Sequence, residues 1–232
     1  MILNPELQQY SIVLIGDFNP LMFTPEWFLK NHVISPEDVE VARDESIKNS
    51  IIITAQLTFF KTSQLSFKVE MNRMEIVSEN GASSSVMDFV TKMFESIGGF
   101  VIKAYGFNYS AHYNVKDNAT YQLIGDKLAP KCYWKTLLKE EVSGLDRKSG
   151  LTIIQMQKHK PDESGYYKVI LQPSNFIKPG VFLSCNDHTI VDKNNNSADD
   201  VVTRIEKTYF DSIVFMEKVQ IDLLTEVTKG NE

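Results

Sequence analysis

Val86, Phe89, Val90, Met93, Phe94 and Ile97 recur at i, i+3, i+4, i+7, i+8 and i+11. That spacing places six large apolar side chains along one side of an α-helix. Such a stripe must be buried, and the sequence just before it offers the surface. Residues 51–59 alternate, with Ile53, Ala55, Leu57 and Phe59 on one side and Thr54, Gln56 and Thr58 on the other. Residues 65–71 alternate again, Leu65, Phe67, Val69 and Met71 against Ser66, Lys68 and Glu70. Period-two alternation is the pattern of a half-buried strand. The expectation is a long hairpin turning at 61–64, with the helix lying on its apolar face. Met74 and Ile76 continue at even positions, and a bulge near Arg73 would account for the slip in phase. Ser83, Ser84 and Ser85 are placed to cap the helix, and Gly98-Gly99 to stop it.

The same sequence of signals occurs twice. Residues 10–15 (YSIVLI) read as a strand buried on both faces. Thr24-Pro25 and Ser35-Pro36 then supply a cap followed by a proline at the first helical position, so two short helices follow. The hairpin and the stripe helix complete the first half. From Phe100 a second strand reaches Val115, followed by helical pieces over 118–128 and 131–138 broken at Pro130. A hairpin over 151–158 and 166–172 turns at Pro161, Asp162 and Gly165, and another strand covers 181–185. Ser197-Ala198-Asp199-Asp200 opens a helix to about Val227, with Ile205, Tyr209, Ile213, Met216 and Leu223 or Leu224 buried. The chain therefore reads as α+β: two strand-rich halves in tandem, residues 1–98 and 99–232, in β-αα-β-hairpin-α order. Helices pack on a mainly antiparallel sheet, and the two halves make one unit.

Composition narrows function by exclusion. The hydrophobic share is 43%, the charged share 23% and the net charge −6, as in an ordinary globular protein. The acidic balance argues against a general nucleic-acid binder. No apolar run approaches the roughly 20 residues of a membrane span. Cys132 and Cys185 lie far apart and read as reduced thiols of a cytoplasmic protein. No phosphate-binding glycine motif and no Gly-x-Ser-x-Gly elbow occur. His32, His112, His159 and His188 are scattered, without the spacing that makes ligands converge, so neither metal nor cofactor is expected.

One strand stands out. Lys103, Tyr105, Phe107, Tyr109 and Tyr113 share a face, with Asn108, Ser110 and His112 opposite. The first five are the candidate ligand-binding residues, as the aromatic wall of a pocket between the sheet and the long C-terminal helix. The competing and favoured reading is packing beneath that helix, with the hydroxyls reaching its rim. Glu37, Asp38, Glu40, Asp44 and Glu45 form a solvated acidic helix face or a docking surface for a basic partner. The expectation for function is a non-catalytic interaction or assembly protein, acting through a protein partner or self-association. A small-ligand binder comes second. An enzyme comes third, with His112, Asp126 and His188 as its acid–base candidates.

Overall fold

Alternation and helical periodicity sort the protein, seen here as a computed structural model, into nine strands and five α-helices among its described residues. These are 4–44, 51–79, 81–97, 100–134, 136–138, 150–192 and 197–229. The strands are β1 (Pro5–Gly16), β2 (Ile51–Ile53), β3 (Leu57–Lys61), β4 (Leu65–Glu70), β5 (Arg73–Ser78), β6 (Ile102–Asn114), β7 (Ile154–His159), β8 (Gly165–Pro173) and β9 (Gly180–Ile190). The helices are α1 (Pro25–Lys30), α2 (Pro36–Arg43), α3 (Ser83–Glu95), α4 (Asn118–Leu128) and α5 (Ala198–Thr228). The fold is α+β, as the sequence predicts.

All nine strands form one sheet in the order β2-β3-β4-β5-β1-β6-β9-β8-β7. Every neighbouring pair is antiparallel. The centre of the sheet is the seam where β1 runs against β6, with Tyr10 opposite Tyr109 and Ile12 opposite Phe107. The helices share one face. Phe28 of α1 and Phe89 of α3 meet Phe67 of β4 at ring separations of 4.9 and 5.7 Å. Tyr209 of α5 stands edge-on to Phe107 of β6 at 5.2 Å. Burying such a side chain stabilises the fold by about 1.5–3 kcal/mol.

Caps follow the sequence signals closely. Thr24 accepts from Trp27 N, Ser35 and Asp38 form a capping box, and Ser197 accepts from Asp200 N. The exception is α3, which starts after Ala82 with no side-chain cap. Its serines occupy the first turn instead, and the Gly98-Gly99 stop lies outside the described residues.

Two strand readings and one helix reading are corrected. Residues 51–59 are not one strand, because Thr54 closes a turn. Its Oγ1 accepts from the amides of Gln56 and Leu57 and donates to Leu57 O. The turn inverts the faces, so Thr58 and Phe60 are buried, not Leu57 and Phe59. Thr58 Oγ1 satisfies its burial by donating to Pro20 O at 2.8 Å. The slip near Arg73 is not a bulge. Met71-Asn72 form a two-residue hairpin turn that sets Val69 opposite Met74, which carries the apolar side from odd to even numbers. Among the described residues past Pro130, Lys131–Trp134 form a 3-10 turn in place of the start of a helix over 131–138.

Candidate functional site: the open face of the sheet

The aromatic strand of the sequence reading is β6, and its odd face is the seat of α5. Tyr105, Phe107, Tyr109 and Tyr113 retain 4, 1, 2 and 0% exposure. Tyr109 stacks on Tyr10 across the central seam at 5.0 Å. Tyr113 Oη donates to Gln220 Oε1 of α5 at 2.9 Å, while Gln220 Nε2 donates to Tyr109 O at 3.2 Å. The hydroxyls thus end inside the helix–sheet interface and not at its rim. Burial pushes the Tyr109 and Tyr113 phenols above the ordinary range, so both are neutral. Lys103 stands apart at the exposed end of the strand, paired with Asp17 at 2.7 Å.

The three acid–base candidates are dispersed. His112 and His188 occupy the open face of the sheet, but β9 residue Phe182 faces His112 and Gly106 of β6 faces His188. Six strand residues, about 20 Å, separate the two imidazoles along β6. Asp126 belongs to α4 on the covered face and pairs with Lys131 at 2.9 Å. Of the acidic cluster, Asp38 accepts from Ser35 N in the α2 capping box and from Ser63 Oγ. Glu45 lies outside the described residues.

The even side of β6 and its neighbours is different. The helices lie on the other face, yet Ser11, Val13 and Ala104 keep only 8, 8 and 7% exposure. Ser11 and Val13 are sunk below longer side chains, in a hollow of about 460 Å³ spanning β5, β1, β6, β9 and β8. Gly106 lies in its floor, and a Cβ there would meet Asn186 Nδ2 at 3.0 Å. A chain of amides and hydroxyls crosses the floor. Asn186 Nδ2 donates to Asn108 Oδ1 at 2.8 Å, and Asn108 Nδ2 donates to Ser11 Oγ at 3.1 Å. Ser110 and Ser184 sit opposite each other beside it. At one end Tyr166 stacks on His188 at 4.7 Å. Burial, reinforced by Lys160, holds the His188 imidazole below its usual range, with Asp187 acting the other way. His188 is therefore a neutral hydrogen-bonding group at pH 7. Arg73 and Lys168 line the hollow with Glu75. Its chemistry is polar and close to charge-neutral.

A second polar cluster lies between β9 and α5. Lys160 Nζ is 2.6 Å from Asp187 Oδ1 and donates to Thr189 Oγ1 at 2.6 Å. Ser212 Oγ of α5 donates to Asp187 Oδ2 at 2.5 Å. Every strong group has a partner, so the cluster reads as a pin between the sheet and α5. Among the described residues no group of three or more His, Cys, Asp or Glu is placed to hold a metal ion. No described helix is long and apolar enough to cross a membrane.

No protein-family model matches the chain, and no curated protein is significantly similar to it. Among solved structures, it is similar to a rolling circle replication initiator protein from Geobacillus stearothermophilus. The match has 9% identity and a TM-score of 0.30, over 88% of this chain and 78% of that one. A likeness that slight carries no argument about fold or function.

Asn108, Ser110 and His112 share one face of β6 in the sequence, but that alternation alone marks no site. Two further signals mark the hollow. Ser184, Asn186 and His188 alternate with buried Leu183, Cys185 and Asp187, and Tyr166 and Lys168 alternate in β8. The Lys160–Asp187–Ser212 cluster joins three distant segments and leaves no local signal.

Proposed function

We propose that the protein is a non-catalytic binding protein that receives a polar partner surface in the hollow of its open sheet face. The observation that carries this reading is the Ser11–Asn108–Asn186 chain, sunk at the centre of the sheet and left uncovered by the helix layer. Amides and hydroxyls both donate and accept, so such a floor reads hydrogen-bond pattern without demanding charge. The dispersal of His112, Asp126 and His188 favours binding over acid–base catalysis. Cys132 and Cys185 are both free thiols, which supports a reducing, cytoplasmic setting.

A second reading has its own support. The volume of the hollow and the stacked Tyr166–His188 pair suit a small polar molecule with one flat face. One experiment serves both readings. The purified protein is melted against panels of polar metabolites and short peptides, with native mass recorded on the same samples. Binding to the folded state raises the melting temperature according to RT ln(1 + [L]/Kd). The expected result is a shift that vanishes in Ser184→Trp, whose indole fills the hollow. A shift of equal size in Ser184→Trp places binding elsewhere and overturns the proposal.

A further inference from the structure

Helix α5 carries 31 residues, about 46 Å of helix. Its buried side faces the sheet through Ile205, Tyr209, Ile213, Met216, Gln220 and Leu224. Its outer side is unusual for a solvated helix. Phe210, Val214 and Ile221 fall on one stripe, at i, i+4 and i+11, and are 50, 63 and 39% exposed. Beside them runs a charged row, Lys207, Asp211, Lys218 and Asp222, all exposed. None of the four forms an ion pair among the described residues. Within the helix each lysine lies N-terminal to its aspartate at i+4, the less favourable order for such a pair.

The row reads plus, minus, plus, minus along the chain. Reversed, it reads minus, plus, minus, plus. A second α5 lying antiparallel therefore sets Asp211 against Lys218 and Lys207 against Asp222, in both directions. Both pairings are centred between Val214 and Phe215. The apolar stripe has nearly the same centre. A twofold axis there brings Val214 beside its own copy and Phe210 beside the copy's Ile221. In a parallel pair the twofold would carry the row to the opposite side of the contact, away from its own copy. The charge pattern and the apolar pattern thus call independently for one symmetric arrangement.

We infer that the outer face of α5 is a homodimer interface, formed by antiparallel packing of α5 on α5 of a second copy about an axis near Val214. The helix layers meet back to back, and the two open sheet faces point away from the interface.

The test is sedimentation equilibrium of the full chain over a wide concentration range, with three proteins compared. The unaltered protein is expected to dimerise reversibly. Asp211→Lys faces Lys218 of the copy twice over, so dissociation should strengthen about tenfold or more. The double variant Asp211→Lys/Lys218→Asp restores opposite charges across the axis and should recover most of the affinity. All of these side chains are exposed, and far-UV circular dichroism confirms that each variant retains its helix content. A purely monomeric unaltered protein overturns the inference. So does a dimer indifferent to Asp211→Lys, or a swap that fails to rescue. None of these outcomes bears on binding in the hollow.

Discussion

Removing the Asp187 carboxylate tests the physical account of how α5 is held. The Lys160 and Asp187 side chains keep only 12 and 9% exposure, and their charged atoms are 2.6 Å apart. In Asp187→Ala the ammonium loses its buried carboxylate and keeps the Thr189 hydroxyl and, 5.3 Å away, the Tyr167 ring. Ser212 loses its acceptor as well. Breaking a buried pair by deleting one partner costs about 3–5 kcal/mol. That is a large part of the roughly 5–15 kcal/mol that keeps a domain folded. For a chain of this size the melting temperature should fall by roughly 6–20 °C. Equilibrium urea unfolding followed by circular dichroism measures the loss directly, provided the slope with denaturant is unchanged. The double variant Lys160→Met/Asp187→Leu separates pairing from packing. With both charges gone there is no desolvation to offset, and stability should return to within about 1–2 kcal/mol of the original. A loss under about 1 kcal/mol in Asp187→Ala, or a double variant as unstable as the single one, would refute the reasoning.

Other consequences can be checked as directly. Burial holds His112 and His188 below the ordinary imidazole range, so the unfolded chain takes up protons first as pH falls. The stability they contribute is complete above about pH 6.5 and declines below it, and His112→Gln/His188→Gln should flatten that acid limb in urea unfolding. Burial pushes the Cys185 thiol up to about 11, partly offset by Gln220, whereas Cys132 is exposed. Mass spectrometry after brief alkylation of the folded protein should find one adduct, on Cys132. Gly165→Ala puts a Cβ 1.9 Å from His188 O, so the β8–β9 edge must shift. Faster amide exchange in β8 than in β1 would report it. Gln220→Leu removes the Gln220 acceptor of the Tyr113 hydroxyl and should cost about 1–3 kcal/mol, less when combined with Tyr113→Phe.

Helices were the most legible part of the chain because their signals are local and redundant. The α5 start at Ser197, the α2 capping box and the α3 stripe each rest on residues a few positions apart. The strands near the first hairpin were misread for the opposite reason. Thr54 and Met71-Asn72 reverse the chain with no glycine or proline to announce it, so a continuous alternation concealed two turns. The aromatic face of β6 is conspicuous in sequence because bulky residues fill a helix–sheet interface. The hollow is inconspicuous because serine and asparagine alternating in a strand look like an ordinary solvated face. Only the pairing of β1, β6 and β9 shows that those short side chains adjoin.

The central seam also sets a timetable. Tyr10 waits for Tyr109, whereas β3, β4 and β5 pair through short turns close in sequence. Local hairpins close in microseconds, while contacts between distant segments must first overcome the entropy of a long loop. During synthesis β1 therefore leaves the ribosome with one edge claimed by β5 and the other open until residues 102–114 appear. A nascent chain stalled just short of β6 exposes that apolar edge to any strand nearby, so the protein is most prone to aggregate halfway through its own translation.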